Sequence, residues 1–237
     1  MQRRTVVQAL ALPLLASSIA QSKEVEKGEL DYEDYAGDLP NLKLYGDKPA
    51  LPAETRKARE MLDLARQKTG VIEVARYFES ISETNDQGEK YNAAWASRWN
   101  PVIIGFYKST TLADKYVFVR GDTIAWCAAF LNWCLEAAGK PTTKSASSGS
   151  FRTYGAEVKN PKAGDIVVFK NSNPVRGNAG FGHVGLFVEQ RYNSQRKREE
   201  IVVLGGNQKA GKRYSSVNTS AFPLQSDVNT FHSFRRV

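Results

Sequence analysis

The most constraining feature of the sequence is an almost wholly apolar segment between Asp122 and Gly139. Only Asn132 and Glu136 break its apolar character within the segment. Asp122 and the following Thr123 are residue types that favour a helix N-cap, and Gly139 can adopt the left-handed conformation that ends a helix. A helix that is apolar around most of its circumference must be buried. The chain therefore has to build its core around this helix.

The predicted helix carries the two cysteines of the chain. Cys127 lies in its first turn, where the helix dipole and unpaired backbone N–H groups are expected to lower a thiol pKa. Cys134 follows seven residues later, about 10 Å along the axis, which exceeds the roughly 7 Å Cα separation that a disulfide can span. The two cysteines therefore cannot pair. Taken alone, Cys127 is better interpreted as a small buried hydrophobic residue.

Composition indicates one main domain with an uneven charge distribution. The chain has 237 residues, 41% of them hydrophobic, which is enough for one substantial core. Its formal charge is +8, and residues 140–237 hold 16 basic and 6 acidic side chains. A basic surface can attract nucleic acid, an anionic membrane or an acidic cell-wall polymer. No nucleic-acid-binding module is recognisable, so we expect no nucleic-acid partner.

The first twenty residues have the pattern of a secretory signal peptide. A positive start with the adjacent pair Arg3-Arg4 precedes an apolar run, and Ser18-Ile19-Ala20 fits a cleavage site. The arginine pair is also typical of twin-arginine export. The apolar run is shorter than the roughly 20 residues of a membrane-spanning helix. We therefore predict a periplasmic or secreted protein without an integral membrane segment after cleavage.

The remaining chain divides into an arm, a helical part and a run of strands. Residues 21–52 lack periodicity and are expected to form a linker or surface arm. Helical spacing predicts helices over 53–68 and 71–81, and Asn100-Pro101 predicts a short helix that follows. Short β-branched runs at 164–169, 182–188, 201–204 and 231–237 then predict antiparallel strands. The charged cluster 195–200 is expected to be a solvated hairpin tip.

A cysteine nucleophile needs a nearby base and usually a third group that orients the base. His183 is predicted to begin a strand between Gly182 and Gly185, which would let another element approach closely. We therefore interpret His183 as the base. Asn207, in the turn after a neighbouring strand, is predicted to fix the imidazole tautomer, and Gln208 is a less favoured substitute.

The other polar candidates receive structural roles. His232 has no comparable surroundings and is interpreted as a structural or surface residue. Asp165 is interpreted as a turn residue that precedes a strand. The histidines and cysteines are too few and too widely spaced for a typical zinc site, so we predict neither a metal nor another cofactor.

Four motifs together resemble CHAP-type cysteine amidohydrolases and peptidases of the NlpC/P60 superfamily. Their order and approximate spacing match, and each motif alone is a weak signal. They are Trp126-Cys127-Ala-Ala-Phe130, Gly164-Asp165-Ile-Val-Val-Phe169, Gly182-His183-Val-Gly185 and Leu204-Gly-Gly-Asn-Gln208.

The resemblance covers roughly residues 60–237 and implies a papain-like α+β fold. In such a fold the nucleophile helix packs on an antiparallel sheet of about five or six strands. The expected organisation is a signal peptide at 1–20, an arm at 21–52, and a catalytic domain at 53–237. That domain comprises a helical part (53–119) and a catalytic core (120–237).

The resemblance also implies the chemistry, with Cys127 as nucleophile, His183 as base and Asn207 as the third member. A tryptophan that often precedes the glycine turn in the family is absent here, and Tyr154-Gly155 stands in that region. Trp126 and Tyr154 are therefore the candidate substrate contacts.

The leading hypothesis is an exported, monomeric peptidoglycan hydrolase that cleaves an amide bond through an acyl-enzyme. The enzyme would be an N-acetylmuramoyl-L-alanine amidase or a stem-peptide endopeptidase, with peptidoglycan or its muropeptides as partners. The alternatives are a non-catalytic cell-wall-binding module, which the basic C-terminal half favours, and a secreted toxin-type cell-wall hydrolase.

Overall fold

A computed structural model describes residues 48–112, 125–209 and 214–237. The predicted signal peptide (1–20) and the first 27 residues of the predicted arm lie outside these ranges, as do Asp122 and Thr123. The last residues of the arm contact the folded part, because the backbone of Lys48 accepts a hydrogen bond of 2.8 Å from the backbone N–H of Trp99.

Four of the five α-helices in the described residues agree with the sequence pattern to within a few residues, and the fifth, α5, was not predicted. The five helices are α1 (Pro52–Ala65), α2 (Val71–Ser80), α3 (Pro101–Phe106), α4 (Cys127–Ala137) and the short α5 (Pro174–Asn178). Helix α3 begins as predicted, because the Asn100 side chain accepts a hydrogen bond from the backbone of Val102 and Pro101 occupies the first turn. In α1 the buried residues Ala58, Met61 and Ala65 recur at helical spacing.

Six antiparallel strands form one open sheet with the order β1-β6-β2-β3-β4-β5. This confirms the predicted α+β class and strand number. The strands are β1 (Ala156–Val158), β2 (Ile166–Asn171), β3 (Gly182–Asn193), β4 (Arg198–Gln208), β5 (Ser216–Pro223) and β6 (Asn229–Arg236).

Two of these strands, β1 and β5, were not predicted from the sequence pattern. In β1 the side chains are exposed or half-buried, and in β5 only Ser216 and Val217 are buried. Both strands lie at the edges of the sheet, so they bury little apolar surface. A strand that buries so few apolar side chains shows no clear alternation of apolar and polar residues.

Helix α4 lies at the centre of the core, as its composition requires. It packs on β3 and β4, and α2 and α3 pack on it in turn. The contact is rich in aromatic rings, with Phe78 and Phe106 5.0 Å apart and Phe78 and Trp133 5.1 Å apart between ring centroids. Both pairs are edge-to-face, the geometry that aromatic quadrupoles favour.

The opposite face of the sheet holds a second, smaller apolar cluster. It includes Val167, Phe169 and Phe187, which alternate along β2 and β3 with the side chains that face α4. The rings of Phe169 on β2 and Phe222 on β5 are 5.3 Å apart, although β3 and β4 lie between these strands. The sheet is therefore strongly curved, and this face is concave.

The two ends of α4 are built differently from each other. At the C-terminus, Gly139 has φ = +68°, and the backbone N–H groups of Gly139 and Lys140 donate to Glu136 and Leu135. This is the predicted glycine-terminated end, in the form of a Schellman motif. At the N-terminus the helix begins at Cys127 with Trp126 in the N-cap position, and the Trp126 side chain makes no capping hydrogen bond. Helix α4 therefore begins later than the predicted N-cap residues Asp122 and Thr123, which lie outside the described residues.

The charged cluster at 195–200 forms a hairpin tip, but its last residue is not solvated as predicted. Glu200 is 1% exposed and its carboxylate accepts hydrogen bonds from Asn193 and Arg198. Arg191 and Arg196 lie 3.9 Å from the same carboxylate. These partners hold the pKa of Glu200 below its ordinary value, so the charge is compensated despite its burial.

A close contact between α4 and β4 generates the first prediction. A Cβ atom at Gly206 would lie 2.5 Å from Trp126 Cζ3 and 2.8 Å from Phe130 Cβ, whereas one at Gly205 would have no neighbour closer than 3.4 Å. Gly206→Ala should therefore lower the free energy of unfolding by about 2–3 kcal/mol through overpacking. Gly205→Ala is the matched control and should cost less than about 1 kcal/mol. Equal losses in urea denaturation would contradict this account of the helix–sheet contact.

Candidate active site

Cys127 is the first residue of α4 and is 4% exposed. Burial raises the pKa of its thiol to about 11, and backbone hydrogen bonding from Val184 and Ala128 offsets only part of this effect. The predicted lowering of this pKa is wrong, because desolvation of the thiolate outweighs the favourable field at the helix end. Cys134 is completely buried, and burial raises its pKa well above the ordinary value.

His183 is the second residue of β3, and its imidazole lies against the ring of Phe222. The two ring centroids are 5.2 Å apart and the rings are inclined by 22°. The flanking glycines permit the close approach that the sequence predicts. A Cβ atom added at Gly182 would lie 2.0 Å from the carbonyl oxygen of Phe169. One added at Gly185 would lie 2.5 Å from Val203 Cγ1.

The side chain that contacts the imidazole is Gln208. Its Oε1 lies 3.2 Å from His183 Nε2, and both side chains are buried. Its Nε2 donates to the backbone carbonyls of Val203, Gly205 and Asn218. Because these carbonyls can only accept, the carboxamide must point its oxygen towards the histidine. Nε2 of His183 therefore carries the proton, and the lone pair remains on Nδ1.

A β-bulge explains why Gln208 rather than Asn207 makes this contact. Gly205 pairs with Asn218 and Gln208 pairs with Ser216, so β4 holds one residue more than β5 in this interval. Asn207 adopts φ = +61° within the bulge. An extra residue reverses the alternation of side chains between the two faces. Gln208 therefore reaches the face that carries His183.

Cys127 and His183 line one cavity of about 290 Å³. Asn207 lines the same cavity, so the structure brings the three predicted catalytic residues together. The imidazole, however, donates its hydrogen bond to Gln208. The other lining residues come mainly from the ends of strands, and they are Gly182, Gln208, Lys209, Ser220, Ala221, Phe222 and Asn229.

Burial also determines the charge state of the pair. It lowers the pKa of His183 to about 4, and the hydrogen bond from Gln208 opposes this shift only in part. With a thiol pKa of about 11 and an imidazole pKa of about 4, both groups are neutral at pH 7. The site therefore holds a thiol and a neutral base at rest, not a preformed thiolate and imidazolium.

The two predicted substrate contacts, Trp126 and Tyr154, do not line this cavity. Trp126 is 1% exposed and packs against the rings of Phe106 and Phe130. Its indole N–H has no hydrogen-bond partner within the described ranges. Tyr154 packs edge-to-face on Phe151, and its hydroxyl donates to the carbonyl of Pro141. Both side chains therefore pack within the fold, and neither lies at the cavity as the predicted substrate contact would require.

The remaining polar candidates have the structural roles that the sequence indicates. Asp165 accepts hydrogen bonds of 2.8 and 2.6 Å from the guanidinium of Arg236, which joins the start of β2 to the end of β6. His232 is exposed, and its Nδ1 lies 2.9 Å from the hydroxyl of Ser233.

Residues 48–112, 125–209 and 214–237 contain neither a metal-binding cluster nor a membrane-spanning helix. No group of three or more His, Cys, Asp or Glu side chains is placed there to hold a metal ion. No helix there combines the length and apolarity needed to cross a membrane.

The buried imidazole generates a prediction about stability. The folded state lowers the pKa of His183 from 6.5 to about 4, so the unfolded chain binds the proton first as pH falls. His183 should therefore contribute a loss of about 3 kcal/mol in the free energy of unfolding between pH 7 and pH 4. In urea denaturation, the free energy of unfolding of His183→Gln should lack this loss between pH 7 and pH 4. The exposed His232→Gln is the control and should keep most of it; identical profiles for both variants would contradict a buried neutral His183.

The segment that carries this site is similar to a known protein family. The CHAP domain family model matches residues 119–207, which include Cys127, His183 and Asn207. No curated protein and no solved structure matches the chain. CHAP domains are associated with hydrolase or amidase activity on peptidoglycan. Residues 119–207 are therefore similar to a CHAP domain, and the α+β architecture is consistent with the papain-like fold of the CHAP-type cysteine amidohydrolases.

Proposed function

We propose that this protein is an exported cysteine hydrolase that cleaves an amide bond of peptidoglycan. The observation that carries the proposal is the shared cavity of Cys127 and His183, in which Gln208 fixes the imidazole tautomer. The family match supplies the substrate class. The proposed roles are nucleophile for Cys127, general base and then acid for His183, and orienting residue for Gln208.

The neutral resting pair determines how the reaction would begin. Nδ1 of His183 accepts the thiol proton as Cys127 Sγ attacks the amide carbonyl carbon, and a C–S bond forms. The electrons of the C=O bond move to the oxygen. The backbone N–H of Cys127 is at the first position of α4, where helical N–H groups have no intrahelical partner, so it is available to stabilise this oxyanion.

The imidazolium then returns its proton to the leaving amine. The C–N bond breaks and an acyl-enzyme remains on Cys127. In the second half, His183 accepts a proton from water as the hydroxide oxygen attacks the thioester carbon. Collapse of that intermediate breaks the C–S bond, releases a carboxylic acid and restores the thiol. Gln208 would stabilise each imidazolium, because its Oε1 accepts from the protonated Nε2 throughout.

Asn207 is proposed as a contact for the substrate within the same cavity. It was predicted to be the third catalytic residue, and its position in the left-handed bulge keeps it at the wall of the cavity. Its side chain can offer a hydrogen-bond donor and an acceptor to an amide. The bulge would then both orient the imidazole, through Gln208, and contact the substrate, through Asn207.

The cellular location is proposed from the sequence pattern of residues 1–20. A protein that acts on the cell wall must cross the inner membrane, and the positive start, apolar run and small residues before Gln21 fit a cleavable signal. We propose that residues 53–237 act as a monomeric catalytic domain and that residues 21–52 link it to the cleaved signal.

A second candidate function is wall binding without turnover. The excess of basic over acidic side chains in residues 140–237, 16 against 6, favours it, since anionic polymers are attracted by charge alone. Salt-sensitive binding to sacculi with no hydrolysis by the wild type would favour this function over the enzymatic one.

The nucleophile is tested with the two cysteines of α4. Cys127→Ala should reduce the release of muropeptides from purified sacculi at least about a thousandfold, because no thiol remains to form the acyl-enzyme. Cys134→Ala is the matched control on the same helix, and its release rate should stay within about threefold of the wild type. Equal release by wild type and Cys127→Ala would exclude the proposed mechanism. Mass spectrometry of the products identifies the bond that is cleaved.

The orienting residue is tested by comparing neighbours in the bulge. Gln208→Ala should lower kcat by about a hundredfold, because the imidazole loses the acceptor that fixes its tautomer. Asn207 has φ = +61°, a conformation that glycine also adopts readily. Asn207→Gly therefore removes the side chain without straining the bulge. It should raise KM with a smaller change in kcat. The opposite pattern, a larger fall in kcat for Asn207→Gly, would restore Asn207 as the orienting residue.

A further inference from the structure

The charges in the active-site cavity point to a feature of the substrate. Of the ten described residues that line the cavity, only Lys209 carries a fixed charge at pH 7, and none is a carboxylate. His183 is neutral at that pH. Lys209 is exposed and directly follows Gln208 in the chain. Among the described residues, the proposed catalytic pair therefore shares its cavity with one ammonium group and no carboxylate.

The lining residues differ in whether their polar atoms are free for a ligand. The carboxamide of Gln208 is fully used by His183 and three backbone carbonyls. The hydroxyl of Ser220 donates to the side chain of Asn218. Within the described ranges, no acidic side chain pairs with Lys209. The ammonium of Lys209 is thus the strongest donor in the cavity that remains available to a ligand.

We propose that Lys209 selects substrates that carry a free carboxylate beside the scissile amide. This inference rests on the proposed function and adds the substrate class to it. A lysine ammonium binds a carboxylate through a charge-assisted hydrogen bond, which is roughly twice as strong as a neutral one. The corresponding carboxamide would lose the ionic part of this interaction. The neutral side chains of Asn207 and Asn229 supply no comparable discrimination, because a carboxamide satisfies them as well as a carboxylate does.

Lys209 is expected to act on substrate binding and not on the proton transfers. Its charge helps an acidic peptide enter a cavity whose described lining residues include no carboxylate. The basic excess of residues 140–237 extends the attraction over a larger surface. Because Lys209 is exposed, salt should screen part of this preference. A role in generating the thiolate would instead alter turnover of both kinds of substrate alike.

Two synthetic muropeptides provide a sharp test. Both contain N-acetylmuramoyl-L-Ala-D-Glu-L-Lys, with the α-carboxyl group of the glutamate either free or converted to a carboxamide. The tripeptide contains both the muramoyl–alanine and the glutamate–lysine amides, so the test covers cleavage at either bond. The wild type should show a kcat/KM at least about tenfold higher for the carboxylate form, since a charged hydrogen bond is worth roughly tenfold or more.

Substitutions at Lys209 should change this ratio in a defined direction. In Lys209→Gln the preference for the carboxylate form should fall to near unity, and in Lys209→Glu it should reverse. Lys90→Gln removes the same charge from an exposed lysine that does not line the cavity, and it should keep the wild-type ratio. An unchanged ratio in Lys209→Gln, or equal losses on both substrates, would overturn the proposal.

A binding measurement separates this inference from the proposed function. Fluorescence titration of Cys127→Ala and of the double variant Cys127→Ala/Lys209→Gln with both muropeptides reports the preference without turnover. If the carboxylate preference in this titration depends on Lys209, the inference is supported. If the wild type also hydrolyses neither peptide, only the proposed function is contradicted. Turnover by the wild type without any carboxylate preference in kinetics or binding would remove the inference and leave the function intact.

Discussion

The packing of α4 against the sheet is the constraint on which the rest of the structure depends. The helix is apolar on nearly every side, so it is covered by β3 and β4 on one side and by α2 and α3 on others. Gly206 allows β4 to approach Trp126 and Phe130 closely. This contact places the first turn of the helix beside the ends of the central strands. The position of Cys127 is therefore a consequence of core packing.

The same burial determines the chemistry that the site can perform. A thiol at a solvated helix N-terminus would ionise more readily, but Cys127 lies in a desolvated position that raises its pKa to about 11. His183 is desolvated in the same way, and its pKa falls to about 4. The two shifts move in opposite directions and both favour the neutral forms. A site of this kind stores no ion pair and generates its nucleophile during the attack on the substrate.

Much of the fold was accessible from periodicity and capping patterns. The positions of α1, α2 and α3, the Schellman end of α4 and the four central strands follow local rules that involve neighbouring residues. Strands β1 and β5 were missed because edge strands bury few side chains and show no clear alternation. Trp126 was predicted to contact the substrate. Its ring instead fills the core, since its contacts with Phe106 and Phe130 come from elements distant in sequence or one helical turn away.

The sequence by itself determined that this chain has a buried helix with a cysteine in its first turn, followed by a histidine between glycines and a Gly-Gly-Asn-Gln turn. These are local features, and their order carries the family resemblance. Only the tertiary structure decided which side chain orients the imidazole and whether the thiol is ionised. Side chains alternate between the faces of a sheet, and the bulge of β4 inserts one extra residue into this alternation. Gln208 therefore contacts the imidazole in the place predicted for Asn207. The ionisation depends on how much water the folded chain excludes, and no local pattern specifies that quantity.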